Sequence, residues 1–477
     1  MQKIKDFIHL FMGLAPKSYK VFIIICLVLN PFLFWMMGSL AAGWAVLIEF
    51  LIILSLALKC YPLFPGGLVA IEALALKMVG MKDVMKEIHN NMDVVMLLIF
   101  LVPAIYFMKP FLVHIFMKVL SVFHNKILLS LIFLIFGAFL SAWLDALTVM
   151  VVMITVCAAV RDLYARVSAQ MADDSQEFDR FLGNLLMHGA IGTALGGIAT
   201  VVGEPQNLLI AHYAGWGFRD FYLRMAHFSI PLQLMGILVC FLLERFRLKA
   251  FGFGYQLSQS AGKAMADIVY QEHQQGPLYR TKLWIMAAAF VGLILALGLQ
   301  IAPIGIIGLG LLIFLPVLTG QTDEHQIGDA FKESLPFTAL LIVFFIIVAM
   351  IEGMGLFRGI TDFVLHFNGR QQLYAFFGVT GLLSAVSDNV FVANVYIHEA
   401  FDALSRGVIQ QEQFEKLAVM INAGTNIFSI VTPNGQAAFL FLLTSSIARR
   451  IGLSYVRMFL MSLPFAMALI GLAFVLI

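Results

Sequence analysis

The hydropathy pattern divides the chain into long apolar stretches separated by short polar links. A helix that crosses a bilayer needs about 20 mostly apolar residues. On that measure spans are predicted near 20–38, 41–59, 62–79 and 92–109, with a polar loop over 80–91 and a shorter interfacial or connecting helix over 110–122. From Lys126 to Val160 the apolar run is too long for one span, and Asp145 sits near its middle. Two arrangements fit: two spans joined by a tight turn, or one span leading into a re-entrant hairpin. In both, Asp145, Ser141 and Thr148 lie at the turn. Residues 161–187 read as a charged link. The next stretch, 187–214, is apolar but carries Gly192, Gly196, Gly197, Gly203 and Pro205, a density that predicts a broken helix. A span follows near 228–243. The longest polar stretch, 244–282, carries Arg245, Arg247, Lys249, Lys263, Arg280 and Lys282 and reads as a cytoplasmic linker between two halves. Beyond it spans are predicted near 283–300, 303–319 and 335–352, with a weaker apolar segment over 356–367. A long run over 373–397 holds Asp388, a broken segment covers 416–446, and a last span covers 455–477. The total is roughly eleven to thirteen crossings, plus two hairpin or broken elements.

The pattern repeats itself. LSAWLDALTV at Leu140–Val149 matches LSAVSDNVFV at Leu383–Val392 with a shift of 243 positions (388 − 145). GTALGGIATVVGE at Gly192–Glu204 matches GTNIFSIVTPNGQ at Gly424–Gln436 with a shift of 232 (424 − 192). Each half therefore pairs an intramembrane aspartate with a Gly/Thr-rich breaker. Internal duplication with interrupted spans is the sequence signature of a secondary transporter.

Composition agrees with a membrane protein. The 477 residues are 61% hydrophobic and 12% charged, with mean hydropathy +0.94, against about 25% charged residues in soluble domains. The net charge of +2 excludes no small partner, and no basic run points to nucleic acid. Cys26, Cys60, Cys157 and Cys240 are scattered through apolar segments, without the spacing of a zinc site or a disulfide framework. Lys3, Lys5, Lys17 and Lys20 precede the first apolar run with no cleavage site after them, so the N-terminus is expected in the cytoplasm. GGLVAIEALALK lacks the ending of a phosphate-binding loop. No protease or hydrolase motif is present, so an enzyme is not expected and no cofactor is implied.

The chemistry rests on buried acids. An ionised carboxylate at the centre of a bilayer costs about 2.5–3.5 kcal/mol, and desolvation favours its neutral form. Such a group is satisfied by a proton or by a cation, and one site does not hold both. Asp145 and Asp388 are the candidates for that competition. The plainer reading is a structural ion pair with Lys59, Lys77 or Lys109. Sodium seeks oxygen ligands, and the breakers supply carbonyls and hydroxyls. Thr200, Glu204 and Asn207 surround the first break, and Thr425, Asn426, Thr432 and Asn434 the second. Ser141 and Thr148, with Ser384 and Asn389, flank the two aspartates. At Glu204 the other half carries Gln436, so one repeat holds a charge that the other lacks. Glu49, Glu72, Asp93 and Glu352 carry weaker claims. Glu72 is placed to pair with Lys77, and Asp93 sits at a helix start. His188, His398 and Glu399 read as interfacial polar residues or pH sensors.

Several stretches carry a resemblance to a known family: ALKCYPLFPGGLVAIEA (57–73), FLSAWLDALTV (139–149), GTALGGIATVVGEPQNLLIA (192–211), TDEHQIGDAFKESLPFTALL (322–341), LLSAVSDNVFVANVYIHEA (382–400) and GTNIFSIVTPNGQAAFLFLLTS (424–445). Over nearly the whole chain the sequence resembles the NhaB family of bacterial sodium/proton antiporters. That family in turn looks like a member of the ion-transporter superfamily, which includes divalent-anion/sodium symporters. The resemblance implies an all-α polytopic fold of two inverted repeats, each with a re-entrant hairpin and a broken transmembrane helix. LDALT (144–148) and SDNVF (387–391) fall at the hairpin tips, and GEPQN (203–207) and TPNGQ (432–436) at the breaks. On that frame residues 1–125 and 283–372 are mainly scaffold, 126–243 and 373–477 are the transport repeats, and 244–282 is the linker. Aspartates replace the neutral hairpin residues of the anion carriers, which disfavours the rival reading, a di- or tricarboxylate carrier. The resemblance further implies an inner-membrane homodimer that exchanges cytoplasmic Na+, with Li+ as a second substrate, for external H+ electrogenically.

Overall fold

The computed structural model describes residues 6, 9–123, 125–168, 175–253, 276–365, 367 and 369–477. Every regular element among them is helical. In chain order α1 covers Lys17–Met37, α2 Ser39–Ser55, α3 Leu63–Ala75 and α4 Met81–Asn90. Next, α5 covers Met92–Tyr106, with a π turn at Leu97–Leu101, and α6 covers Lys109–Val122. The first repeat comprises α7 (Lys126–Ser141), α8 (Ala146–Ser168), α9 (Ser175–Gly197), α10 (Pro205–Ala214) and α11 (Phe218–Arg245). The middle of the chain gives α12 (Pro277–Gly298), α13 (Ile304–Thr319), α14 (Glu324–Met354) and α15 (Arg358–Leu365). The second repeat comprises α16 (Arg370–Ser384), α17 (Asn389–Ser405), α18 (Gln411–Phe428), α19 (Ala437–Thr444), the short α20 (Ser446–Arg450) and α21 (Tyr455–Leu476).

Among the described residues five helices are long and apolar enough to cross a membrane: α1, α11, α12, the Ser334–Met354 part of α14, and α21. The pair α4 and α5, bent by 63° at Asn91, makes up to six. Unbroken helices of that length are thus fewer, among the described residues, than the spans the sequence predicts, because the chain is interrupted where Gly, Pro and capping residues fall. The apolar helices α2, α3, α7 and α13 stay shorter. Two links also differ from expectation. Residues 80–91 form helix α4 rather than a loop, since Val84 and Glu87 share a buried face against α14. The charged stretch after Val160 is mostly helix, with α8 running on to Ser168 and α9 beginning at Ser175. Arg161 joins these two helices through Asp179, with contacts of 2.7 and 3.0 Å. Of the 244–282 linker, 254–275 lies outside the described residues.

The duplication seen in the sequence recurs in the packing. In the first repeat α7 lies along α9, and in the second α16 lies along α18. Glycines set the closeness of both pairs. A Cβ on Gly192 would stand 2.2 Å from the Leu134 carbonyl oxygen, and one on Gly424 2.7 Å from the Phe377 carbonyl oxygen. Leu134 and Phe377 are the same repeat position (134 + 243 = 377). One turn on, small and large change places. Gly196 faces the Ala138 backbone, while at the equivalent pair Gly381 accepts the ring of Phe428. The 11-residue difference between the two shifts (243 − 232) falls between α8 and α9, where α8 has 23 residues and its counterpart α17 has 17. Contacts between the repeats are reciprocal: α10 packs on α17 and α18, and its counterpart α19 packs on α8 and α9.

Candidate functional site

Four interruptions meet where the repeats exchange contacts. Two are the turns at 142–145 and 385–388, and two are the breaks at 198–204 and 429–436. Each turn ends in an aspartate that caps the helix after it, the favoured role for a short acidic side chain. Asp145 Oδ2 accepts from the Thr148 amide at 3.2 Å. Asp388 Oδ1 accepts from the amides of Val390 and Phe391 at 2.8 and 3.3 Å. Asp145 is buried and Asp388 partly so. Both carboxylates thus sit at the positive end of a helix dipole.

The breaks are tied to the turns by the same bond in each half. The Thr200 hydroxyl donates to the Ala142 carbonyl, and the Thr432 hydroxyl to the Ala385 carbonyl. Donors and acceptors are both repeat-equivalent (200 + 232 = 432; 142 + 243 = 385). Beyond these threonines the repeats meet directly. Gln436 Nε2 donates to Glu204 Oε1 at 3.0 Å, so the one charged and one neutral member of an equivalent pair face each other. The carboxylates of Asp145 and Asp388 both lie within electrostatic range of Glu204. Three acids from different parts of the chain therefore share one small region. Among the described residues no lysine or arginine forms an ion pair with Asp388, so the structural pair with Lys59, Lys77 or Lys109 does not hold for that acid.

Polar side chains extend the cluster. Gln436 Oε1 accepts from Asn389 Nδ2 at 3.3 Å and from the Ser429 hydroxyl at 3.0 Å. Ser384 Oγ lies 2.9 Å from Asn389 Oδ1 and 2.8 Å from the Thr425 carbonyl oxygen. Its equivalent, Ser141 (384 − 243), is fully buried and among the described residues its Oγ finds no partner; Ala146 stands where the other half has Asn389. Asn207 Nδ2 donates to the carbonyls of Gly197 and Thr200, both at 2.6 Å, across the first break. Asn207 Oδ1 receives Asn426 Nδ2 at 3.4 Å, and Asn426 Oδ1 receives Gln206 Nε2 at 3.2 Å.

Not every predicted residue joins in. Asn434 Nδ2 turns to the Ser55 carbonyl at 2.7 Å, at the end of α2. The Thr425 hydroxyl is satisfied inside its own helix by the Ile421 carbonyl at 2.8 Å. Thr148 offers the cluster a backbone amide that caps on Asp145. Conversely, Gln206, Asn422, Ser429 and Gln436 belong to the network. Asn422 is one helical turn before Asn426 and 3.1 Å from it, a spacing that sequence alone offers as a signal. Among the weaker candidates, Glu72 pairs with Asn30 Nδ2 at 2.9 Å, not with Lys77, and Glu49 takes the same donor at 2.8 Å. Asp93 lies in the first turn of α5 as expected. His188 is buried, 3.1 Å from Glu244 and stacked on Phe253, and His398 is also buried. A cavity of 560 Å³ opens beside the first break, lined in part by Ala142, Trp143, Thr200 and Gln233.

The arrangement gives a cation oxygen donors from carboxylates, amides, hydroxyls and unwound carbonyls, the hard ligands that alkali ions prefer, and gives a proton the same carboxylates. Comparison with known proteins agrees with this chemistry. The family described as bacterial Na+/H+ antiporter B (NhaB) matches residues 1–477. The chain is 48% identical to the Na(+)/H(+) antiporter NhaB of Yersinia enterocolitica, covering 97% of this chain and 91% of that protein. It is 46% identical to the protein of the same name from Vibrio atlanticus, over 98% and 92%, and 46% to that from Pseudomonas putida, over 97% and 96%. Matched from end to end by this family and over nearly its whole length by these relatives, the chain belongs to the NhaB family of bacterial Na+/H+ antiporters.

Proposed function

We propose that this chain is a secondary transporter, not an enzyme, that exchanges Na+ for H+ across a bilayer, with Asp145, Glu204 and Asp388 as the carboxylates for which the two ions compete. The observation that carries the reading is the convergence of these three acids at paired helix interruptions. A buried carboxylate is stabilised by protonation or by a bound cation. Sodium binding therefore expels protons, and protonation expels sodium. The ion shell is completed by Ser141, Ser384 and Asn389 around the aspartates, by Thr200 and Asn207 at the first break, and by Asn426 and Thr432 at the second.

The two-fold exchange of contacts supports alternating access. In this reading the repeats 126–243 and 373–477 are inverted with respect to the membrane, and the turns are the tips of re-entrant hairpins. Segments 1–125 and 283–372 form the scaffold, and 244–282 links the halves. Protons driven inward by their gradient return sodium, and lithium as a second substrate, to the outside in an electrogenic exchange. The basic N-terminal residues Lys17 and Lys20 support a cytoplasmic start and an inner-membrane location, and the family supports a homodimer. The test uses purified protein in proteoliposomes with a pH-sensitive dye inside. After a proton gradient is imposed, Na+ or Li+ should move protons and K+ or citrate should not. Proton movement with citrate alone would replace this reading by a carboxylate carrier.

A further inference from the structure

A second cluster of titratable groups lies away from the breaks. Glu87 on α4, Glu352 on α14 and His398 on α17 each bring one ligand atom within 4.8 Å of the others. Two of the three are held from behind. Glu87 Oε1 accepts from Asn91 Nδ2 at 2.9 Å and from Asn394 Nδ2 at 3.4 Å, while Oε2 faces His398 Nε2 at 3.0 Å. His398 Nδ1–H donates to the Asn394 carbonyl at 2.8 Å, which turns Nε2 toward Glu87 and the Tyr213 hydroxyl. An imidazole oriented by a backbone carbonyl and a carboxylate oriented by amides is the outer shell that protein metal ligands carry. Asn394 is fully buried beside them, with its own Oδ1 without a partner. A cavity of 420 Å³ reaches the cluster, and the exposed Glu352 on its wall gives a path of entry. Lys86 and Arg358 also line that cavity, with Arg358 turned to Asp402 at 3.8 Å.

We infer that Glu87, Glu352 and His398 bind a divalent transition-metal ion and that the bound metal arrests ion exchange. One imidazole and two carboxylates, with no thiolate, suit zinc, cobalt or nickel better than a soft monovalent ion. At metal–ligand distances of about 2.0–2.2 Å tetrahedral donors stand about 3.3–3.6 Å apart, so donors now up to 4.8 Å apart close by roughly an ångström and a half at most, while His398 and Glu87, at 3.0 Å, open slightly. The metal takes the place of the proton shared between His398 Nε2 and Glu87.

Its position explains the second half of the inference, which rests on the exchange reading above. His398 lies ten residues after Asp388 (398 − 388), about 15 Å along α17. Tyr213, at the same cluster, lies nine residues after Glu204 (213 − 204), about 14 Å along α10. A metal here pins the helix that begins at one candidate ion ligand, and touches the helix that begins at another, against α4 and α14.

The experiment titrates the purified full chain in detergent with Co2+, read by its visible absorption, and then adds Zn2+ to proteoliposomes carrying out Na+/H+ exchange. One Co2+ per chain is expected, displaced by Zn2+. Binding should weaken by more than about tenfold in His398→Gln and in Glu352→Gln. Glu352 is exposed, so its variant should fold and exchange normally without metal. Zn2+ should inhibit the native chain and spare Glu352→Gln. No Co2+ binding by a chain that exchanges sodium, or equal binding by both variants, would overturn the site. Variant-sensitive binding without inhibition would overturn the arrest. A chain that binds Co2+ but exchanges no sodium would contradict the proposed function instead, and leave the site standing.

Discussion

Replacing Gly196 by alanine tests the closest contact in the fold. The added Cβ would stand 1.9 Å from the Ala138 carbonyl oxygen and 2.7 Å from its Cα. Ordinary contact begins near 3.4 Å, so α9 and α7 must part by about an ångström and a half. The obstacle is backbone, and no rotamer change relieves it. Overpacking of this kind costs roughly 1–3 kcal/mol. The displacement also pulls Thr200 from the Ala142 carbonyl, the bond that ties the first break to the Asp145 turn. Gly292→Ala on α12 is the control, because nothing lies within 4 Å of its Cβ; there alanine should be neutral or slightly stabilising. The assay is thermal unfolding in detergent together with Na+-driven proton movement in proteoliposomes. Gly196→Ala should melt below the control and lose most exchange. Equal melting and full exchange in both variants would refute the close α7–α9 contact and the coupling drawn from it.

Other outcomes follow from the same geometry. Thr200→Val and Thr432→Val each remove one equivalent hydrogen bond, worth about 1 kcal/mol. Both should raise the sodium concentration needed for half-maximal exchange, by similar factors, in a sodium titration of proteoliposomes. Gln436→Leu strips partners from Glu204, Asn389 and Ser429 at once. At roughly 1–3 kcal/mol for each orphaned buried group, it should destabilise the chain far more than Gln436→Glu, by thermal unfolding at acidic pH. Asn30→Ala removes the donor shared by Glu49 and Glu72; stability should fall, while the sodium dependence of exchange in the folded fraction stays native.

Local chemistry explains what the sequence made legible. The turns and breaks are announced by residues whose preferences act within a few positions: aspartates that cap, glycines that permit close approach, and the prolines that follow. The repeat shifts of 243 and 232 then recur as equivalent hydrogen bonds in the fold. What was hidden depends on long-range contact. No local pattern places Gln436 against Glu204, 232 residues away, or gathers Glu87, Glu352 and His398. Helix α4 escaped because its few apolar positions, such as Val84 and Ile88, gain their worth only when α14 covers them. Spacing alone pairs Lys77 with Glu72, yet Lys77 leaves the helix with φ of 57°, while Asn30 on another helix takes the glutamate.

The central claim is that sodium and protons compete for the same carboxylates. It is tested most directly by adding Na+ to the purified protein in weakly buffered detergent solution and measuring the protons released. The native chain should release protons in saturable fashion with Na+ and not with K+, and Asp145→Asn combined with Asp388→Asn should release almost none. Undiminished sodium-dependent release from that double variant would contradict the account.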